Sequence, residues 1–187
     1  MNHFPPSALS IRPIRPAELP QLEEFLYQAV FVPEGEERPG REIVRLPELE
    51  VYYRDFGRRE GDFCLVVENA PEFPGQAELP GQAEFTDDEA RLLGAVWIRV
   101  FDNAARGFGF VDEATPELSM SVLEGYRGRG LGTELLRAML QKLAAGAYRQ
   151  VSLSVDLDNY AYAWYQGFGF VQISSDGHSA IMLKRLS

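Results

Sequence analysis

A single cysteine and two histidines among 187 residues leave little for sulfur or metal chemistry. One thiol cannot close a disulfide within the chain, and zinc or iron sites need ligand clusters that this composition lacks, so no metal is expected. Cys64 falls in the apolar run Phe63-Cys-Leu-Val-Val67 and reads as a buried strand residue rather than a nucleophile. His178, within Ser174-Ser-Asp-Gly-His-Ser179, reads as an exposed loop histidine rather than a base. There is no Gly-x-Ser-x-Gly elbow to present a serine. No apolar run is long enough to cross a bilayer, and Met1-Asn-His-Phe-Pro-Pro6 lacks the ordered charged and apolar regions of a secretory leader, so a cytoplasmic location and no membrane partner are expected. Basic residues are in the minority, 18 against 28 acidic, and the net charge of −10 argues against a nucleic-acid partner.

What the chain does have is a glycine-rich turn. Arg127-Gly-Arg-Gly-Leu-Gly-Thr133 follows the strand-like run Glu117-Leu-Ser-Met-Ser-Val-Leu123 and opens into a helical pattern carrying Leu131, Leu135, Leu136, Met139, Leu140 and Leu143 on one face. Gly128, Gly130 and Gly132 let the backbone approach a ligand without Cβ atoms in the way, and the first N–H groups of the helix then point outward at the positive end of its dipole. The expectation is a phosphate cradle, with an ordinary tight turn as the plainer reading. Between Glu124 and Arg149 the local charge is positive, with Arg127, Arg129, Arg137, Lys142 and Arg149 against Glu124 and Glu134. That reversal suits an anionic ligand.

Three ligands could use such a cradle. A nucleoside-triphosphate loop needs a lysine before its hydroxyl residue, and Thr133 follows Gly132 directly. A dinucleotide fingerprint needs Gly-x-Gly-x-x-Gly; the spacing here is Gly-x-Gly-x-Gly, although Asp156 is tolerably placed for a ribose. The third candidate is the pyrophosphate of coenzyme A. Arg127-x-x-Gly130-x-Gly132 resembles the Arg/Gln-x-x-Gly-x-Gly/Ala signature of the GCN5-related N-acetyltransferases (GNAT family).

The resemblance continues downstream. Val151-Ser-Leu-Ser-Val155 reads as a buried strand, Asp158 to Gly167 as a short helix and Phe168-Gly-Phe-Val-Gln-Ile173 as a further strand. In that family the helix has the form Asn-x-x-Ala-x-x-x-Tyr-x-x-x-Gly-Phe, and Ala161, Tyr165, Gly169 and Phe170 fall in register. Asp158 stands at the usual asparagine and Asn159 one place later; either could cap the helix. The match covers roughly Leu92 to Leu186, whereas the first half agrees only in outline.

In that first half, Leu9 to Ile14 alternates as a strand and Pro16 to Val30 carries an apolar helical stripe. Phe31 to Arg45 reads as a loop and Leu46 to Phe56 as a second helix. Phe63 to Glu68 and Arg91 to Phe101 read as two strands, joined by the tandem duplication Phe73-Pro-Gly-Gln-Ala-Glu78 and Leu79-Pro-Gly-Gln-Ala-Glu84. A proline in each repeat interrupts strand ladders, so residues 70–90 are expected to form an exposed loop inserted in a hairpin of a single domain, 1–187.

The expected fold is mixed α/β: a central mixed sheet of six to seven strands with about four helices, in the order β-α-α-β-β-β-α-β-α-β-β. The resemblance implies the rest. The strands ending at Leu123 and Val155 lie parallel and splay apart, and acetyl-CoA enters the gap as cosubstrate. Its pantetheine arm bonds the backbone around Val122 and Leu123, and its pyrophosphate sits on Arg127, Gly128, Arg129, Gly130, Leu131, Gly132 and Thr133, with Asp158 and Asn159 nearby. The implied reaction is acetyl transfer to a primary amine of a small molecule or peptide by direct attack. Tyr165 is implied as the acid that protonates the departing thiolate, with Tyr162, three residues away, as its rival and simple packing as the plainer alternative. Glu117, on the strand bordering the cleft, is the candidate base, acting directly or through water; the alternative is a solvated strand-end carboxylate. Tyr52 and Tyr53 are kept as residues of the acceptor wall, although core packing would explain them equally. An acidic remainder suits a cationic acceptor. A non-catalytic acyl-CoA-binding module of the same fold stays open, as does a homodimer.

Overall fold

The computed structural model describes residues 9–69, 91–146 and 148–186; the duplicated segment 70–90 lies outside them. Seven strands form one sheet: β1 (Leu9–Pro13), β2 (Phe63–Asn69), β3 (Leu92–Arg99), β4 (Glu117–Val122), β5 (Gln150–Asp156), β6 (Val171–Ser175) and β7 (Ser179–Arg185), in the spatial order β1-β2-β3-β4-β5-β7-β6. All neighbours are antiparallel except β4 and β5, which run parallel. The helices are α1 (Gln21–Ala29), α2 (Pro47–Glu50), α3 (Leu131–Ala144) and α4 (Ala161–Gly167). The expected fold class and element order are those observed.

Two cores lie on the two faces of the sheet. On one, Leu131, Leu135, Leu136, Met139 and Leu143 of α3 pack against Leu93, Val96 and Ile98 of β3 and Val151, Leu153 and Val155 of β5. On the other, Leu22, Phe25 and Leu26 of α1, spaced for one helical face, pack against Ala95 and Trp97 of β3 and against Tyr52 and Phe56. Burying each large side chain of this kind contributes on the order of 2 kcal/mol. Cys64 belongs to the second core, where its buried thiol is pushed well above the usual range by desolvation.

Three local expectations are corrected. The helix expected over Leu46 to Phe56 is α only over Pro47–Glu50 and then breaks into turns. The cause is Arg99, which donates to the carbonyls of Val51 and Arg54, the groups that a continuing helix would give to residues 55 and 58. The loop expected over Phe31 to Arg45 closes with a 3-10 turn, Arg41–Arg45, that buries Val44. The last hairpin begins at Val171 rather than Phe168, because the N–H groups of Phe168 and Phe170 both return to the Tyr165 carbonyl to end α4.

Candidate active site

Strands β4 and β5 pair at a single point, Glu117, the first residue of β4, opposite Ser152, the third of β5, and separate beyond. Buried main-chain groups released by such a divergence need partners, which makes the gap a binding site for anything that can act as an added strand. A cleft of about 860 Å³ passes through it. One side of the cleft is lined by Leu118, Met120, Trp164 and Tyr165 from the α3/α4 face, and the other by Leu26, Tyr52, Phe108 and Glu117 from the α1/α2 face. A ligand in the cleft can therefore be approached from both faces of the sheet.

The glycine turn lies at one end of this cleft. Gly128, Gly130, Leu131, Gly132 and Thr133 all line it, and no side chain caps α3. Gly130 takes φ +88°, a left-handed conformation, and a Cβ built there meets nothing within 4 Å. Open space in front of uncapped helix N–H groups fits an anion such as the pyrophosphate of coenzyme A. The two arginines do not both face it. Arg127 lines the cleft but spends its guanidinium on the carbonyls of Val122 and Gln28, at 3.0 and 2.9 Å, tying β4 to the end of α1. Arg129 is outside the cleft lining and lies over the Tyr126 ring, 5.5 Å from its centre.

Backbone alternation corrects the pair Val122 and Leu123. The Leu123 N–H donates to Leu93 of the β3 side and its carbonyl accepts from Tyr126, so Leu123 has no main-chain group to offer the gap. In a strand only every second residue faces a given neighbour, so the gap is faced by Val122 together with Met120, which the sequence reading omitted. The period-two pattern already excluded two adjacent residues.

At the start of α4 the two neighbouring candidates differ in placement. Asn159 lines the cleft and its Oδ1 accepts the Ala161 N–H at 2.9 Å; Asp158 is exposed and lies outside the lining. Tyr165 is buried against Trp164 and Phe170 and faces the cleft. Burial pushes its hydroxyl well above the usual tyrosine value. Tyr162 is not in the lining, and its hydroxyl donates to Gln172 on β6 at 2.7 Å. Of the two tyrosines expected in an acceptor wall, Tyr52 lines the cleft and Tyr53 does not. His178 is exposed in the turn between β6 and β7.

Glu117 is the most perturbed acid of the cleft. It is 3% exposed, its Oε1 accepts from the Tyr52 hydroxyl at 2.6 Å and from the Gly109 N–H at 2.8 Å, and its Oε2 is buried with no hydrogen-bond partner. Desolvation pushes the carboxyl up to about 7, and the two donors pull the other way. The alternative of a solvated strand-end carboxylate does not hold. Nothing in the strand pattern signalled Tyr52 or Gly109 as its partners, which reach it from outside β4.

A family model described as "Acetyltransferase (GNAT) family" matches residues 41–170. The chain belongs to this family. A mycothiol acetyltransferase from Corynebacterium efficiens is 35% identical over 92 residues, covering 43% of this chain and 31% of that protein. The match thus spans less than a third of that relative's length. Among solved structures, a GCN5-related N-acetyltransferase from Kribbella flavida aligns with a TM-score of 0.60 at 18% identity, over 97% of this chain and 100% of the other. The spermidine/spermine N-acetyltransferase SpeG from Vibrio cholerae aligns with a TM-score of 0.57 at 16% identity, over 97% and 94% of the two chains. At these identities the structural likenesses establish the shared fold, a GNAT fold with acetyltransferase relatives by sequence. Among the described residues no cluster of metal-ligating side chains occurs, and no helix is long and apolar enough to cross a membrane.

Proposed function

We propose that this GNAT-family chain transfers an acetyl group from acetyl-CoA to a primary amine by direct attack, with Glu117 as base and Tyr165 as acid. The observation that carries the reading is that one cleft, running through the β4/β5 divergence, places a buried carboxyl on one face and a buried phenol on the other. An ammonium must lose its proton before it attacks. Glu117, held near neutrality, takes that proton directly or through one water. As the N–C bond forms and the C–S bond breaks, Tyr165 gives its proton to the leaving sulfur, whose thiol pKa is near ~8.5. Burial keeps the phenol in the protonated form that can donate. The helix N-terminus at Gly130 to Thr133 holds the pyrophosphate, and the Met120 and Val122 main chain holds the pantetheine arm.

The wall on the Glu117 side informs the acceptor. It is mainly apolar, with Leu26, Leu49, Tyr52 and Phe108, and the cleft's acids are Glu117 and Asp156 alone among the described residues. A monoamine with an apolar body fits this wall better than a polycation. A free-thiol assay of acetyl-CoA turnover tests the proposal with tyramine, a peptide beginning with alanine, a lysine peptide, an amino sugar and spermidine. Turnover with tyramine exceeding that with spermidine is expected; coenzyme A binding without thiol release for any amine would favour a binding module.

A further inference from the structure

Three segments far apart in sequence converge on one carboxyl group. Tyr52 stands just past α2, with its ring edge-on to Phe101 at 5.2 Å and stacked on Phe108 at 6.2 Å. Its hydroxyl donates to Glu117 Oε1 and accepts the Phe108 N–H at 2.5 Å. The turn around Phe108 then adds a second donor to the same oxygen, the Gly109 N–H. The approach is close enough to require glycine on both sides. A Cβ at Gly107 would lie 2.3 Å from Glu117 Oε2 and 2.7 Å from the Tyr52 hydroxyl; one at Gly109 would lie 2.9 Å from Glu117 Cδ and 2.7 Å from the Leu153 carbonyl carbon. The turn is therefore wedged between the carboxyl and β5, where the two parallel strands part.

We propose that Tyr52 and the turn Gly107–Gly109 form the seat that positions Glu117 at the apex of the divergence, with Tyr52 a positioning residue and Oε2 the proton-accepting oxygen. The inference rests on the reading of Glu117 as base. A free glutamate side chain has several rotatable bonds, and a strand edge alone does not orient it. Here two donors saturate Oε1 and none reaches Oε2, so the two oxygens differ in what they can still accept. The other groups facing the carboxyl leave this division intact. Arg99, across on β3, is committed to Asp62; β5 brings Ser152 and Ser154, which carry no charge; Arg106 lies over the Phe110 ring.

The test is a carboxyl titration by NMR on protein labelled with ¹³C-glutamate, the Glu117 resonance being identified by its loss in Glu117→Gln. Tyr52→Phe keeps the ring and removes one donor to the ionised form, so the Glu117 midpoint should rise by about 1 pH unit. With the best amine of the thiol-release panel, kcat should fall about tenfold with the KM for acetyl-CoA unchanged. A purely structural role would lower the melting temperature and leave the midpoint in place. A cooperatively folded Tyr52→Phe protein whose Glu117 midpoint stays or falls overturns the proposal. Should Tyr52→Phe fail to fold, Gly107→Ala, whose Cβ falls on Oε2, must move the midpoint, and an unmoved midpoint again overturns it. Full turnover by Glu117→Gln would instead remove the base assignment, a failure separable from that of the seat because the titration is read without substrate.

Discussion

Arg99 and Glu117 sit directly opposite each other on β3 and β4, with their side chains on one face of the sheet, yet they form no ion pair. The guanidinium turns instead to Asp62, at 2.8 Å, and to the carbonyls of Val51 and Arg54. Two consequences follow from that choice. The positive charge nearest in register to Glu117 is already neutralised, so desolvation can hold the carboxyl high. The same contacts fix the turns that carry Tyr52.

Asp62→Asn should therefore be costly. Both partners are essentially inaccessible, at 1% and 0% exposure, and removing one leaves a buried charge uncompensated. We expect a loss of about 3–5 kcal/mol in urea unfolding at neutral pH, with part of it restored in Asp62→Asn combined with Arg99→Met. An equal or larger loss in the double variant would contradict this account.

Glu117 makes stability depend on pH in a defined direction. The folded carboxyl is held up to about 7, above the ~4.3 of an unfolded glutamate, so the folded state binds the proton more tightly. That contribution is fully present below the unfolded value and is lost as pH rises through about 7. Unfolding of wild type and Glu117→Gln, compared at low and at high pH, should show the wild-type advantage shrinking by on the order of 3 kcal/mol. A gap that is constant with pH would show that the carboxyl is not so perturbed.

Tyr165→Phe removes only the hydroxyl of a residue that lines the cleft, and should lower kcat by about 10²-fold or more with little change in acetyl-CoA affinity. Tyr162→Phe loses a hydrogen bond to Gln172 on the edge strand and should do much less. Steady-state kinetics with calorimetric binding distinguish the two, and a reversed order would reassign the acid.

Gly130 separates shape from charge at the cradle. Asp and Asn both tolerate its left-handed backbone comparatively well, so Gly130→Asn and Gly130→Asp should fold alike. Calorimetry with coenzyme A should then show both weakened, and the Asp variant weaker than the Asn variant by at least tenfold, because it sets a negative charge at the proposed pyrophosphate site. Equal affinities for wild type and Gly130→Asp would place the anion elsewhere.

Asn159→Ala removes the side chain that accepts the Ala161 N–H and should cost about 1 kcal/mol by thermal or urea unfolding. Asp158→Ala, at an exposed position outside the cleft lining, should change neither stability nor coenzyme A binding appreciably. The opposite ranking would show that the helix is capped one residue earlier.

Much of this molecule was legible in its residues because the signals are local. The apolar spacing of Leu131 to Leu143, the glycines before it and the interval from Ala161 to Tyr165 to Phe170 each lie within one element or one turn, where backbone geometry alone dictates which groups share a face. The order of elements along the chain and the turn that opens α3 followed from them. Tertiary structure decided what lies between elements. Tyr52 is 65 residues from Glu117, and Asp62 is 37 from Arg99; no periodicity within a strand or helix encodes either contact. They exist because the sheet register lays β3 against β4 and the broken end of α2 over both, excluding water from the carboxyl that they surround. The strand pattern placed Glu117 at the start of β4, and it was this exclusion of water, a property of the packed whole, that pushed its carboxyl up to about 7.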